Sequence, residues 1–125
     1  MLQAGHTTRT LLAAPVGIMG SSLRTFLRTI PTVLLIGQAE SQAEALAALA
    51  DALPDILVLD ADLAGVGLAA FLRALRAAAP TLNLIVLAES GCQQATALAA
   101  GASHALLKGH LDEQLRRAVA PANQL

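Results

Sequence analysis

A chain of 125 residues, 55% hydrophobic and 14% charged, holds enough apolar material for one core and is not a disordered chain. Its net charge of −1 excludes nucleic-acid or anionic-membrane binding driven by bulk electrostatics. The lone Cys92 excludes a disulfide framework or a cysteine metal cage and points to a reducing, cytoplasmic setting.

Alanine supplies 28 residues, Trp and Tyr are absent, and only Phe26 and Phe71 carry benzene rings, so Leu, Ile and Val must build the core. Residues 1–8, with His6 among them, read as an N-terminal tail. Residues 10–13 are short, apolar and unalternating, the pattern of a strand covered on both faces of a parallel sheet. Val16, Met19, Leu23, Phe26, Leu27 and Ile30 then share one helical face, which Pro31 closes. Residues 11–20 therefore read as a strand running into a helix, not as a signal-peptide core.

A second strand is expected at residues 33–36. Ser41-Gln42-Ala43-Glu44 has the form of a capping box and opens a helix with the stripe Leu46, Leu49, Ala50 and Leu53, stopped by Pro54. A third strand at 56–59 leads to a helix marked by Leu68, Phe71, Leu72 and Leu75 and ended by Pro80. After a fourth strand at 84–87, Ser90-Gly91-Cys92-Gln93 forms a second capping box, followed by the weaker stripe Ala95, Leu98 and Ala99 and the stop Gly101. Residues 105–107 are the fifth strand, and Leu111, Leu115, Ala118 and Val119 mark the fifth helix. Pro31, Pro80, Asn83 and Gln93-Gln94 interrupt the candidate membrane-spanning stretches.

Five βα units over residues 9–120 predict a doubly wound α/β domain: a flavodoxin-like, five-stranded parallel sheet of order 2-1-3-4-5 with helices on both faces. Residues 121–125 read as a tail or the start of a linker. In such a sheet the functional crevice lies at the carboxyl ends of the strands. There the chain places Ala14 and Pro15, then Asp60 and Asp62, then Ala88, Glu89 and Ser90, and finally Lys108 and Gly109. A carboxylate and an ammonium facing each other there form either a structural ion pair or a group-accepting aspartate with a charge-stabilising lysine.

The segment Pro54-Asp55-Ile56-Leu57-Val58-Leu59-Asp60, with the turn around Gly65, resembles the phosphoacceptor region of response-regulator receiver domains of the CheY-like kind. Gly101-Ala102-Ser103-His104-Ala105-Leu106-Leu107-Lys108 resembles that family's fifth strand with its lysine, and residues 9–37 are most similar to the NarL-type branch. The resemblance implies that Asp60 is the phosphoacceptor equivalent and Lys108 the lysine that pairs with a phosphoryl group. It also implies two-component signalling, with a histidine kinase or a second copy as partner. In NarL-type regulators a DNA-binding domain follows a linker; nothing in residues 9–120 is expected to bind nucleic acid or membrane.

The departures from the family pattern carry as much information. Ala14 and Pro15 stand where the family has the acidic pair that holds magnesium, a cation that requires oxygen ligands. Ala88 replaces the switch Ser/Thr, and Ala105 replaces the switch aromatic. Asp62 stands where the family uses a backbone carbonyl, so its side chain is expected to point away. Magnesium binding is accordingly expected to be weak or absent, and Asp60, Asp62 and Glu89 form at most a loose acidic cluster with weak metal-binding potential.

These features together describe a pseudo-receiver, not an enzyme, working through protein contacts. The charge-free face of the fourth helix, with Cys92, Ala95, Thr96 and Ala99, is the first interaction surface expected, either continuing to the fifth helix or replaced by the face between the first and fifth helices. Arg24, Arg28, Arg116 and Arg117 lie on that second face. The alternatives are a receiver still phosphorylated at Asp60 with low efficiency, and a flavodoxin-like module that binds a small ligand in the same crevice.

Overall fold

The computed structural model describes residues 7–120, so His6 and the segment 121–125 lie outside the described residues. Five strands, β1 (Thr8–Ala13), β2 (Val33–Ala39), β3 (Ile56–Asp60), β4 (Asn83–Ala88) and β5 (His104–Leu107), alternate with five helices. The helices are α1 (Ile18–Arg28), α2 (Gln42–Ala52), α3 (Leu68–Ala78), α4 (Gly91–Ala99) and α5 (Leu111–Ala118). All pairings are parallel, and the order β2-β1-β3-β4-β5 is the flavodoxin-like order expected.

Unbroken apolar runs suit the three central strands because successive side chains point to opposite faces and both faces are covered. Leu11, Leu57, Leu59, Leu84 and Val86 pack on one side with Leu49, Phe71, Leu72, Leu75 and Ala97, from α2, α3 and α4. Leu12, Val58, Ile85 and Leu87 pack on the other with Leu23 and Leu27 of α1 and Leu115 of α5. The edge strands β2 and β5 are only half-buried along most of their length.

The capping boxes form, with one shift. Ser41 Oγ and Ser90 Oγ each accept the backbone N–H three residues on, at 3.1 Å. The return bonds, from Glu40 N–H to Glu44 Oε1 and from Glu89 N–H to Gln93 Oε1, are both 2.7 Å and fall on the residue before the cap. The helices end just ahead of Pro31, Pro54 and Pro80, and Gly101 follows α4 at φ 113°, a conformation that favours glycine.

Three expected stripes are corrected. The first helix begins only at Ile18 and buries Gly20, Leu23 and Leu27, leaving Val16 77% exposed and Met19 at the surface. A Cβ at Gly20 would lie 2.9 Å from the Pro15 carbonyl oxygen, so α1 meets the end of β1 backbone to backbone and its neighbouring side chains turn outward. In α2 the buried positions are Ala45 and Leu49; Ala50 is exposed, and Leu53 leaves the helix in a left-handed conformation, 74% exposed. In α4 the buried residue is Ala97, joined by Ala100 at the C-cap, so Ala95, Leu98 and Ala99 face solvent. The stripes of α3 and α5 stand as expected. No helix among the described residues is long and apolar enough to cross a membrane.

Candidate functional site

The register aligns the strand ends: Ala13 pairs with Leu59, Asp60 with Leu87, and Ala88 with Leu107. The residues that leave β1, β3, β4 and β5 therefore share one edge of the sheet. All of β3 is buried, and its last residue, Asp60, is 1% exposed. Beyond it the chain tightens into a 3-10 turn, Ala61–Leu63, capped by Asp60, whose Oδ1 accepts the Asp62 N–H at 2.9 Å. Across the crevice, β5 delivers Lys108 at the start of another short turn, Lys108–His110.

Lys108 reaches back into the crevice. Its Nζ lies 2.6 Å from Asp60 Oδ1, 2.9 Å from Glu89 Oε2 and 3.1 Å from Asp62 Oδ2. The ammonium donates to Asp62 and Glu89 and forms its shortest ion pair with Asp60, so three carboxylates surround it. Burial works against the charged amine, but the bonds from Asp60, Glu89 and Asp62 outweigh it and raise the Lys108 pKa above its ordinary value. Both short contacts to Asp60 fall on Oδ1; among the described residues no hydrogen bond falls on Oδ2.

The pairing of Asp60 with Lys108 is thus present, and the expectation for Asp62 is corrected. Its carboxylate turns inward to the lysine, because the tight turn after Asp60 carries it back over the strand end. The i, i+2 spacing of the two aspartates was the available signal. The expected loose acidic cluster of Asp60, Asp62 and Glu89 does assemble, but around an ammonium. Among the described residues no group of three His, Cys, Asp or Glu side chains is arranged to hold a metal ion.

Ala14 and Ala88 are fully buried at the floor of this edge, Pro15 is half-buried, and Ala105 packs half-buried against the core beside α4. Cys92, Ala95, Thr96 and Ala99 are all exposed, on the outer face of α4. Arg116 lies over the Phe26 ring at 5.3 Å, joining α5 to α1, while Arg24 reaches Gln38 at 3.4 Å and Arg117 pairs with Glu113 at 3.5 Å. Three of the four expected basic residues are therefore engaged locally. A groove of about 320 Å³ between β2 and α2, lined by Ile36, Gly37, Gln38, Glu44 and Ala48, does not include Asp60.

No family model and no curated protein sequence matches this chain. Solved structures do. The signal receiver domain of the response regulator NarL from Mycobacterium tuberculosis superposes with a TM-score of 0.80 at 22% identity, over 91% of this chain and 94% of that one. The LuxR-family two-component response regulator from Aurantimonas sp. SI85-9A1 gives 0.79 at 23% identity, over 89% and 81% of the two chains. The chain has the receiver fold. The isolated receiver domain of RcsB from Salmonella enterica serovar Typhimurium, solved with the phosphomimetic BeF3−, is a further match at 0.76 and 20% identity, over 89% and 84%. At these identities the likeness is one of fold; what this receiver fold does must be argued from its own strand-end residues.

Proposed function

We propose that this receiver-fold chain is a cytoplasmic signalling module of the two-component type that acts through protein contacts, without phosphorylation of Asp60. The observation that carries this reading is the chemistry of the crevice. A magnesium ion, which the receiver resemblance implies, needs hard oxygen donors in near-octahedral array. Ala14 offers a buried methyl and Pro15 a ring; Asp60 Oδ1 is already shared by a backbone N–H and an ammonium. This donor set does not fit the ion. Transfer of a phosphoryl group to a carboxylate depends on electrostatic stabilisation of the transferring oxygens. Lys108, the cation that the described strand ends supply, is already neutralised by three carboxylates.

The downstream switch fares no better. Ala88 and Ala105 hold methyl groups where the family has a hydroxyl and an aromatic ring, so neither can form a bond to a phosphoryl oxygen or swing to report it. With the chemistry disabled and the fold intact, the surface is left to carry the signal. The charge-free outer face of α4 supports that reading, its Cys92, Ala95, Thr96 and Ala99 all being accessible.

The second reading, a slow phosphoacceptor, is favoured by Asp60 Oδ2, which no protein hydrogen bond engages among the described residues. Incubation with acetyl phosphate and Mg²⁺, followed by intact mass, separates the two. In an acceptor an Asp60 oxygen attacks phosphorus and acetate leaves. The expected result is no adduct, on a chain shown to be folded by circular dichroism. A phosphoryl adduct on the parent chain that is missing from Asp60→Ala would overturn the proposal in favour of the second reading.

A further inference from the structure

Lys108 is the chain's one lysine, and its ammonium is fully taken up by carboxylate oxygens from Asp60, Glu89 and Asp62 at 2.6, 2.9 and 3.1 Å. Asp60 alone would neutralise it. The other two are not forced inward by burial, since the Asp62 and Glu89 side chains are 56% and 58% exposed and water would solvate them well. They are instead presented by fixed backbone. The Asp62 N–H is tied to Asp60 Oδ1 at 2.9 Å, and the Glu89 N–H to Gln93 Oε1 at 2.7 Å. Two strand ends thus aim a carboxylate each at an ammonium that a third already serves.

Three carboxylates around one ammonium leave this edge with an excess of negative charge and a cation already paired on every side the carboxylates reach. A tetrahedral oxyanion arriving at Lys108 would have to displace a carboxylate and then sit beside it. We propose that Asp62 and Glu89 are built-in counter-anions, which keep the crevice self-liganded by standing on Lys108 where an external phosphate-like anion would bind. The inference deepens the proposed function and rests on its reading of Lys108 as the group such an anion would seek. It assigns Asp62 and Glu89 the role of specificity determinants that act through Lys108.

Because no other lysine is present, amine acylation reports on this group directly. The folded chain is treated with a succinimidyl acetate ester, and modification of Lys108 is followed by mass with the α-amino group as internal standard. In Asp62→Asn/Glu89→Gln the rate at Lys108 is expected to rise on the order of tenfold, as two charge-assisted bonds weaken. Inorganic phosphate should slow it again in that variant and leave the parent unchanged. Equal rates in parent and variant would show that Asp60 alone holds the amine and would sink the proposal. So would phosphate that fails to protect the variant, or that already protects the parent. Should the double variant not fold, Glu89→Gln alone carries the same readout. No phosphodonor is present, so the outcome at Asp60 in the acetyl phosphate experiment neither produces nor masks any of these results.

Discussion

Lys108 is held by opposing forces: burial disfavours its charge, and bonds to Asp60, Glu89 and Asp62 favour it more strongly. A group whose pKa is raised on folding stabilises the folded state fully below its unfolded pKa, near 10.5, and that contribution is lost as pH climbs through the higher folded value. The chain has no tyrosine and no second lysine, so in the unfolded chain this is the side chain that titrates between about pH 10 and the arginines. The urea midpoint of the parent should therefore stay level from neutral pH to about pH 10 and then fall. Lys108→Met should lack that alkaline step and should be less stable at pH 7 by about 3 kcal/mol, because it leaves the buried Asp60 charge unpaired. An alkaline step of equal size in both proteins would disprove the assignment.

Arg76 shows how a single side chain joins elements, here the ends of α3 and α4. Its guanidinium donates to the Gly101 carbonyl from Nε at 3.1 Å and Nη2 at 2.7 Å, and to the Leu82 carbonyl at 2.7 Å. It also reaches the Pro80 carbonyl at 3.1 Å and Ser103 Oγ at 3.2 Å. These acceptors lie where helices stop and strands begin, which is where carbonyls lack partners. Arg76→Ala should cost about 2–3 kcal/mol in urea unfolding with an unchanged slope, and Arg76→Lys should recover little, since a point charge cannot match the planar fork. Full recovery by lysine would show that charge alone matters. The helix starts at Ser41 and Ser90 belong to the same scale and were readable locally. The α4 stripe was not, because alanine suits either face: α4 lies close enough to β5 for Gln94 Nε2 to donate to the Ala105 carbonyl at 2.9 Å, and it is Ala97 and Ala100 that turn inward while the bulkier Leu98 is left outside.

On the scale of the whole molecule, one uncharged helix face stands out, α4 with Leu98 52% exposed and Ala95 and Ala99 beside it. A face without charge can meet a copy of itself without like-charge repulsion, so self-association through α4 is the expectation to test. Weight-average mass by sedimentation should rise above 12.8 kDa with concentration for the parent and stay at the monomer value for Leu98→Glu, with unfolding behaviour unchanged. A parent that remains monomeric, or a Leu98→Glu variant that associates as the parent does, would remove α4 from the interface.

The architecture was legible because it depends on periodicity and punctuation. Five apolar runs, five helical stretches and their Ser, Pro and Gly boundaries are local features, and parallel order follows from strands that need cover on both faces. The residue types at the strand ends were equally plain: Asp60 and Lys108 present, Ala14, Pro15, Ala88 and Ala105 without polar groups. What the linear order did not contain was direction. Gly20 lets α1 close onto Pro15 and so turns Val16 and Met19 to solvent, a contact between backbones that hydrophobicity cannot register. Likewise the inward turn of Asp62 depends on a 3-10 turn of three residues, and its meeting with Glu89 at Lys108 depends on β3, β4 and β5 ending level. Sequence alone determined which groups reach this edge of the sheet; only the tertiary structure decided that three carboxylates share one ammonium, because that requires strand ends distant in the chain to converge within hydrogen-bond reach.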